Sequence, residues 1–420
     1  MSTPGPEVAP RWSPLLEDDL ASRATAAVVY IATTLRRGAD PADASLGSGS
    51  AGIAVFFDYL ATTGLDVDAA ADATTFLDDA IDATAGGAIG PSLYAGFTGV
   101  AWATALFDAG AGGPDELDDV DEVLVAITSR SPWPYDYDLV RGLVGHGVYA
   151  LERLPRPTAV RLLEQVVGRL AELAEHRRDG ITWFTRPELL PPDTRREFPR
   201  GYYDAGVAHG VPGVIALLAR CVDSNVAADV ARELLEGGVS WLLRRRLPSG
   251  GLPAVVTPGA PRDAARAAWC YGDPGVACAL LLAGRSLRNE AWERDAVAIA
   301  RAAGELGPDS AGVRDACLCH GAAGLGHLLN RLHHATGDGD LRAAATRWLR
   351  RALEMRHAGR GVAGFATWSE TGMSADPGFL QGAAGVGLAL AAAVTSVEPE
   401  WDRALLVSHR AAACGPPGAL

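Results

Sequence analysis

The 420-residue chain contains no lysine, and all 37 of its basic residues are arginine. Nothing can therefore form a lysine Schiff base with a carbonyl substrate or serve as the lysine of a phosphate-binding loop, which excludes both enzyme classes. Cysteine is scarce, at six residues. In a chain of this size that number suits buried thiols, metal ligands or catalytic groups better than a disulfide framework. Positive charge is in deficit. The net charge of -14 repels phosphates and argues against a nucleic-acid partner. The N-terminus, MSTPGPEVAPRWSPLLEDDL, has no basic stretch followed by an apolar one, so a cytoplasmic location is expected. One run, Phe379–Val397, is uncharged for 19 residues and has the length of a membrane span. It is rich in Ala and Gly and closes a series of repeats, so it reads as a buried helix and no membrane span is expected.

The series is the dominant feature of the chain. Gly-x-x-Gly followed by an apolar run recurs at Gly49–Gly52, Gly96–Gly99, Gly142–Gly145, Gly210–Gly213, Gly272–Gly275, Gly321–Gly324 and Gly382–Gly385. Two glycines three apart lie on one helix face and let backbones approach. Between these runs lie charged, amphipathic stretches such as 158–178, 225–246 and 340–357. Each unit therefore reads as one helix apolar all round and one polar on a face, the second covering the first. An open solenoid would end in polar caps, yet the seventh unit is among the most apolar, which favours a closed ring. The interval 179–204, DGITWFTRPELLPPDTRREFPRGYYD, has too little periodicity for a helix. It reads as an irregular insertion of functional interest or a packed surface loop.

Aligned on the first glycine of each unit, the preceding residue is Ser48, Ala95, Arg141, His209, Tyr271, His320 and Gln381. One step earlier stand Gly47, Tyr94, Val140, Ala208, Cys270, Cys319 and Leu380. Cys270 and Cys319 thus share a position in adjacent units, with His320 beside them. Two thiols and an imidazole are the three protein ligands a catalytic zinc keeps while a fourth position stays open. One zinc per chain is expected at Cys270, Cys319 and His320. Cys317 is the local competitor but is out of register. Cys221, Cys278 and Cys414 read as structural, and His327 as a satisfied helix histidine. Such a ligand set suits activation of an incoming thiolate better than activation of water. His209 is placed to act as general acid or base, Asp138 to orient it with Asp136 as rival, and Arg266 to steady an oxyanion.

The segments GVAHGVPG, RAAWCYGDPG and CHGAAGLG, with DGITWFTRPELLP and FPRGYYDAGVAHG, resemble the lanthipeptide cyclases, the LanC family, and the likeness spans essentially the whole chain. The resemblance implies an all-α fold, a double toroid of seven inner and seven outer helices in a single domain over 1–420, with one zinc at its mouth. It implies intramolecular addition of a peptide cysteine thiol to dehydroalanine or dehydrobutyrine, giving a thioether ring. Carried over by motif, Cys270, Cys319 and His320 match the zinc ligands, and His209, Asp138, Arg266 and Tyr271 match residues lining the active site. Two positions depart from the pattern: Asp273, where a small uncharged residue such as threonine is expected, and Asp204, where asparagine is usual. The implied partners are a dehydrated precursor peptide and, because no dehydratase region is recognised in the chain, a separate dehydratase bound transiently by a monomer. Glutathione or another thiol added to dehydrated protein side chains is an alternative acceptor chemistry, and a non-catalytic leader-peptide scaffold is the alternative outside enzymology. A helical-toroid glycosidase would need paired carboxylates at the mouth, where thiols and imidazoles stand.

Overall fold

The computed structural model describes residues 12–38, 43–87, 89–108, 117–248, 250–257 and 264–409. Among these, and numbered in chain order, seven apolar helices follow the seven glycine motifs. They are α2 (Ser50–Thr63), α4 (Phe97–Phe107), α6 (Leu143–Glu152), α9 (Val211–Asp223), α11 (Asp273–Leu287), α14 (Ala322–Thr336) and α16 (Ala383–Val394). Seven amphipathic helices alternate with them: α1 (Asp18–Gly38), α3 (Ala69–Gly86), α5 (Asp118–Thr128), α7 (Pro157–Leu173), α10 (Ala228–Leu243), α12 (Glu290–Gly304) and α15 (Gly339–Glu354). Two short helices, α8 (Pro192–Glu197) and α13 (Pro308–Ala311), lie in connections. No helix among the described residues is long and apolar enough to cross a membrane, and Phe379–Val397 supplies inner helix α16.

The glycine motif works differently from two glycines on one helix face. The first glycine is the N-cap in every unit, outside the helix proper. Only the second lies on the helix, in its first turn, and there a side chain has no room. A Cβ at Gly99 would collide with the carbonyl of Leu93 in its own loop and come within 2.7 Å of Leu46 Cβ in the preceding unit. At Gly385 the same atom would strike the Phe379 carbonyl and lie 2.9 Å from Leu318 Cβ. The carbonyl of its own loop leaves room only for glycine in every unit, and at Gly52, Gly99, Gly145, Gly275 and Gly385 the neighbouring unit presses on the same spot.

The docking runs full circle. The inner helices pack in the order α2, α4, α6, α9, α11, α14 and α16, and α16 packs back on α2. At the mouth, backbone hydrogen bonds link successive loops. Ala208 N donates to Cys270 O at 3.3 Å, Cys270 N to Cys319 O at 3.4 Å, Cys319 N to Leu380 O at 2.8 Å, Leu380 N to Gly47 O at 2.9 Å and Gly47 N to Tyr94 O at 2.8 Å. The outer layer closes with an offset: α1 covers α16. Trp12 Nε1 donates to Ala392 O at 2.8 Å, and Leu15 N to Ala393 O at 2.8 Å. The fold is the closed α/α toroid expected, its sheet structure among the described residues being three two-stranded ribbons and a few isolated bridges.

The bore is filled from the C-terminal side. A 3-10 turn, Glu400–Leu405, is inserted so that Trp401 meets His327, Phe379 and Tyr59, with ring centroids 4.6, 6.0 and 6.4 Å away. Tyr94 and Trp269 donate to the carbonyls of Ala404 and Leu405 at 2.8 and 2.9 Å, and Arg403 pairs with Glu152 at 2.7 Å. Side chains from six of the seven units meet this segment, as only an axial plug allows.

The helix expected over 158–178 stops at Leu173. Its last residues form a hairpin, β1 (Ala174–Arg177) with β2 (Gly180–Trp183), turned at Gly180, whose φ of 135° suits glycine. Trp183 then buries itself and donates to Leu170 O at 2.8 Å, so the start of the insertion lies against α7. Its end forms β3 (Tyr203–Asp204), paired with β4 (Val255–Val256).

Candidate active site

The loops preceding the inner helices are Asx turns, and this sets what stands at the mouth. Six residues before the first glycine, an aspartate occupies five of the seven units: Asp43, Asp136, Asp204, Asp315 and Asp376. In four of them its side chain accepts from the backbone N–H two residues on, at 2.7 to 2.9 Å. Units two and five break the rule, with Gly90 and Arg266; the arginine is the exception with chemistry. Its Nη2 reaches forward to Cys270 Sγ at 3.4 Å, so the one cation at this repeat position points at a thiol. The sequence holds this pattern plainly, but alignment on only the two residues before each glycine passes over it.

Cys270, Cys319 and His320 each offer a ligand atom, all within 4.8 Å of one another. That spacing can close around one tetrahedral ion, whose S and N donors stand roughly 2.0–2.3 Å from the metal. The electrostatics agree. The Cys319 and His320 side chains, with Arg266, hold Cys270 well below the ordinary thiol value against the opposing effect of burial. Cys319, beside that negative sulfur and buried, is pushed up. His320 Nδ1 is buried without a hydrogen-bond partner. A thiol held low beside one pushed high, with an orphaned imidazole nitrogen beside them, fits a donor set for one cation. A second triad, Asp315, Cys317 and His320, meets the same distance test. Cys317, however, lies in the core with its thiol held high by burial and by Asp315, while Asp315 is already committed to Cys317 N and Trp368 N at 2.9 and 2.8 Å. Cys221 and Cys278 are buried in the apolar core, the former pushed up to about 12 by burial. Cys414 lies outside the described residues.

His209 stands next round the ring. Its Nδ1 is 2.5 Å from Asp138 Oδ2, and Asp138 is buried with its other oxygen accepting from Arg141 N at 2.6 Å. Asp136, the rival, faces Arg141 at 3.4 Å instead, and burial with the nearby Asp138 raises it to about 6. Burial works against charge on His209, but the Asp138 carboxylate outweighs it and holds the imidazole above its ordinary value. Nδ1–H donates to the carboxylate, and Nε2 has no protein partner among the described residues. The Tyr271 ring lies over His209, centroids 5.9 Å apart and 29° between planes. Beneath it Asp204 is buried, raised to about 7 by burial. Asp273 turns out to serve a loop, accepting from Leu252 N at 2.9 Å. All seven candidate residues thus come together at one end of the ring.

The profile of the Lanthionine synthetase C-like protein family matches residues 40–406. Nisin biosynthesis protein NisC of Lactococcus lactis subsp. lactis is 27% identical over 204 residues, which are 46% of this chain and 48% of that protein. The alignment therefore spans about half the length of this relative. A solved structure titled nisin cyclase superimposes with a TM-score of 0.74 at 20% identity, covering 93% of this chain and 98% of the other, a likeness of fold. With a family match over most of its length on a closed seven-unit toroid, the chain belongs to the lanthionine synthetase C-like family.

Proposed function

We propose that the protein is a zinc-dependent lanthipeptide cyclase. The reaction joins a peptide cysteine sulfur to the β-carbon of a dehydroalanine or dehydrobutyrine in the same peptide. The C=C π bond breaks, the thiol proton leaves sulfur, and the α-carbon gains a proton, so the product is an isomer of the substrate. The observation that supports this reading best is the juxtaposition of the Cys270, Cys319 and His320 cluster with the His209–Asp138 pair across Tyr271. Those three ligands would hold one zinc ion, which when bound lowers the pKa of an incoming thiol and leaves its sulfur nucleophilic. Asp138 fixes the His209 ring with its hydrogen on Nδ1, and Nε2 faces the cavity beside Tyr271, positioned to take the thiol proton or return one to the α-carbon. Arg266 sets its positive charge against Cys270 and favours the thiolate form of that ligand. The dehydrated precursor would come from a separate dehydratase.

Cyclisation leaves mass unchanged, so its test is the number of N-ethylmaleimide adducts a dehydrated precursor accepts before and after incubation. Zinc per chain is measured alongside. The expected result is about one zinc in wild type and Cys317→Ala, and little in Cys270→Ala or Cys319→Ala, with cyclisation following zinc. Well-folded wild-type protein that takes up no zinc, or loss of zinc in Cys317→Ala with retention in Cys319→Ala, would overturn the assignment.

A further inference from the structure

Two cavities lie side by side along the His209 wall of the mouth, and Arg141 belongs to both. The first, about 260 Å³, is bounded by Asp138, His209, Tyr271, Thr185 and Tyr202. The second, about 380 Å³, shares Asp136 and Arg141 with it and is bounded further by Arg130, Trp133, Tyr135 and Leu189. We propose that the second cavity is a subsite for a carboxylate on the peptide whose reacting segment occupies the first, and that Arg141 holds it. That the ligand is a peptide rests on the cyclase reading; that it carries a carboxylate rests on the cavity.

Arg141 occupies in unit three the position that His209, Tyr271 and His320 hold in the next three units. Its backbone N–H is tied to Asp138 Oδ1 at 2.6 Å, which fixes where the side chain starts. Its Nε lies 3.4 Å from Asp136 and 3.8 Å from Asp138. That nitrogen makes no hydrogen bond and is buried beyond the reach of a ligand. The two terminal nitrogens differ. The side chain is 36% exposed, and neither Nη1 nor Nη2 has a hydrogen-bond partner among the described residues. A guanidinium held by charge on its Nε side and open at its end offers a fork of N–H donors, which is the geometry a carboxylate accepts.

The other polar groups on the wall ask for the same partner. Arg130 Nη1 donates to the Tyr135 hydroxyl at 2.6 Å, which uses an oxygen lone pair and leaves the O–H free for an acceptor. Arg186 stands nearby, its Nη2 on Pro134 O at 3.0 Å. Asp136 is the one anion lining the cavity, and it is already matched by Arg141. His146 at the base is lowered to about 4 by burial, so it is neutral and adds surface, not charge. Trp133, Ile127 and Leu189 make the rest of the wall apolar. An ammonium would be repelled by Arg130 and Arg141, and an apolar side chain would leave the Arg141 fork to water. A carboxylate on a short apolar stem suits both parts of the cavity. The insertion 179–204 lines both cavities, through Leu189 in one and Thr185 and Tyr202 in the other, so its work here is to wall the peptide path.

A peptide carries a carboxylate on an acidic side chain or at its C-terminus, and three probes separate the two sources. Acetyl-Ala-Glu-Ala-amide has the first, acetyl-Ala-Gln-Ala with a free C-terminus has the second, and acetyl-Ala-Gln-Ala-amide has neither. Binding to the zinc-loaded protein is measured by ligand-observed NMR titration. One carboxylate probe is expected to bind wild type about tenfold more tightly than the neutral probe, the worth of a charge-assisted hydrogen bond; whichever does so names the source. Arg141→Gln is expected to remove that preference. Tyr135→Phe, which takes one O–H from a ring 46% exposed, is expected to reduce it by about twofold to threefold. Equal binding of all three probes by wild type overturns the proposal. So does a preference that Arg141→Gln leaves intact, which would place the carboxylate elsewhere, the zinc included. Should Arg141→Gln fail to fold, Arg130→Gln at an exposed position and Tyr135→Phe decide: the preference weakens in both, or the proposal falls. None of these readouts needs turnover. A preference found in a protein that cyclises nothing would sink the cyclase reading alone. Cyclisation by a protein without the preference would sink the subsite alone.

Discussion

The ring contains two histidine–aspartate pairs of the same chemistry and opposite character. At the mouth, His209 meets Asp138 with its imidazole 25% exposed. In the bore, His327 Nε2 meets Asp402 Oδ2 at 2.8 Å, both fully enclosed, with Arg331 on the same carboxylate at 2.7 Å. Burial is the largest effect at both rings. At His327 it outweighs the pull of Asp402, which Arg331 opposes, and keeps that ring below its ordinary value. Asp138 has only the outer edge of Arg141, at 3.8 Å, and its charge lifts His209. A histidine poised to exchange protons thus needs a carboxylate without a better partner and one ring nitrogen left open. His327 shares its carboxylate with Arg331, and its unpartnered Nδ1 is buried out of reach of any substrate, so it serves as a rivet for the plug.

The comparison breaks most visibly at the buried pair. Asp402→Ala takes one of two carboxylates from the buried Arg331, which keeps Glu398, and unpairs His327; it is expected to cost about 3 kcal/mol of stability, read by urea denaturation. Asp138→Asn keeps an acceptor for Arg141 N but weakens the hold on the Nδ1 hydrogen. Its expected effect is a fall of about a hundredfold or more in cyclisation rate at unchanged zinc content; a rate within a few-fold of wild type would remove Asp138 from the reaction.

The two pairs also tilt stability in opposite directions with pH. His209 binds its proton more tightly folded than unfolded. Its contribution is complete below the unfolded value of about 6.5 and is lost as pH rises through the higher folded value. His327 is the reverse: on acidification below about 6.5 the unfolded chain takes the proton first, so stability falls as pH drops toward the lowered folded value. In calorimetric scans His209→Gln should flatten the alkaline side of the profile and His327→Gln the acid side, each by a few degrees at most. The smallest effect is expected of Asp136→Asn, which loosens a half-open pair with Arg141 and leaves the His209 partner in place. Its rate should stay within about fivefold of wild type, and a larger loss would transfer the orienting role from Asp138 to Asp136.

The inner ring was legible because close backbone approach leaves only glycine at the second motif position, so seven contacts leave seven visible marks. The register of Cys270 with Cys319, and of His209 with Tyr271 and His320, followed from the same marks, and the structure brings those residues together. The plug left no mark of its own: Trp401, Asp402 and Arg403 sit in a segment without periodicity, and their partners Tyr59, Arg331 and Glu152 come from units far apart in the chain. Arg266 lay between these cases. Its position was readable as an exception to an aspartate rule, but the rule shows only when each loop is compared over its full length.

The offset by which α1 covers α16 bears on the order of synthesis. The outer helix α1 leaves the ribosome long before its partner α16, and α2 likewise waits for α16 to complete its neighbours. More than 300 residues separate each of these pairings, so long-range contacts complete the circle. Until residue 394 has appeared, the nascent chain is an arc with two raw edges, one of them the apolar side of α2. Circle and plug are then finished together by residues 383–405, so the mouth acquires its shape only once that stretch has been made.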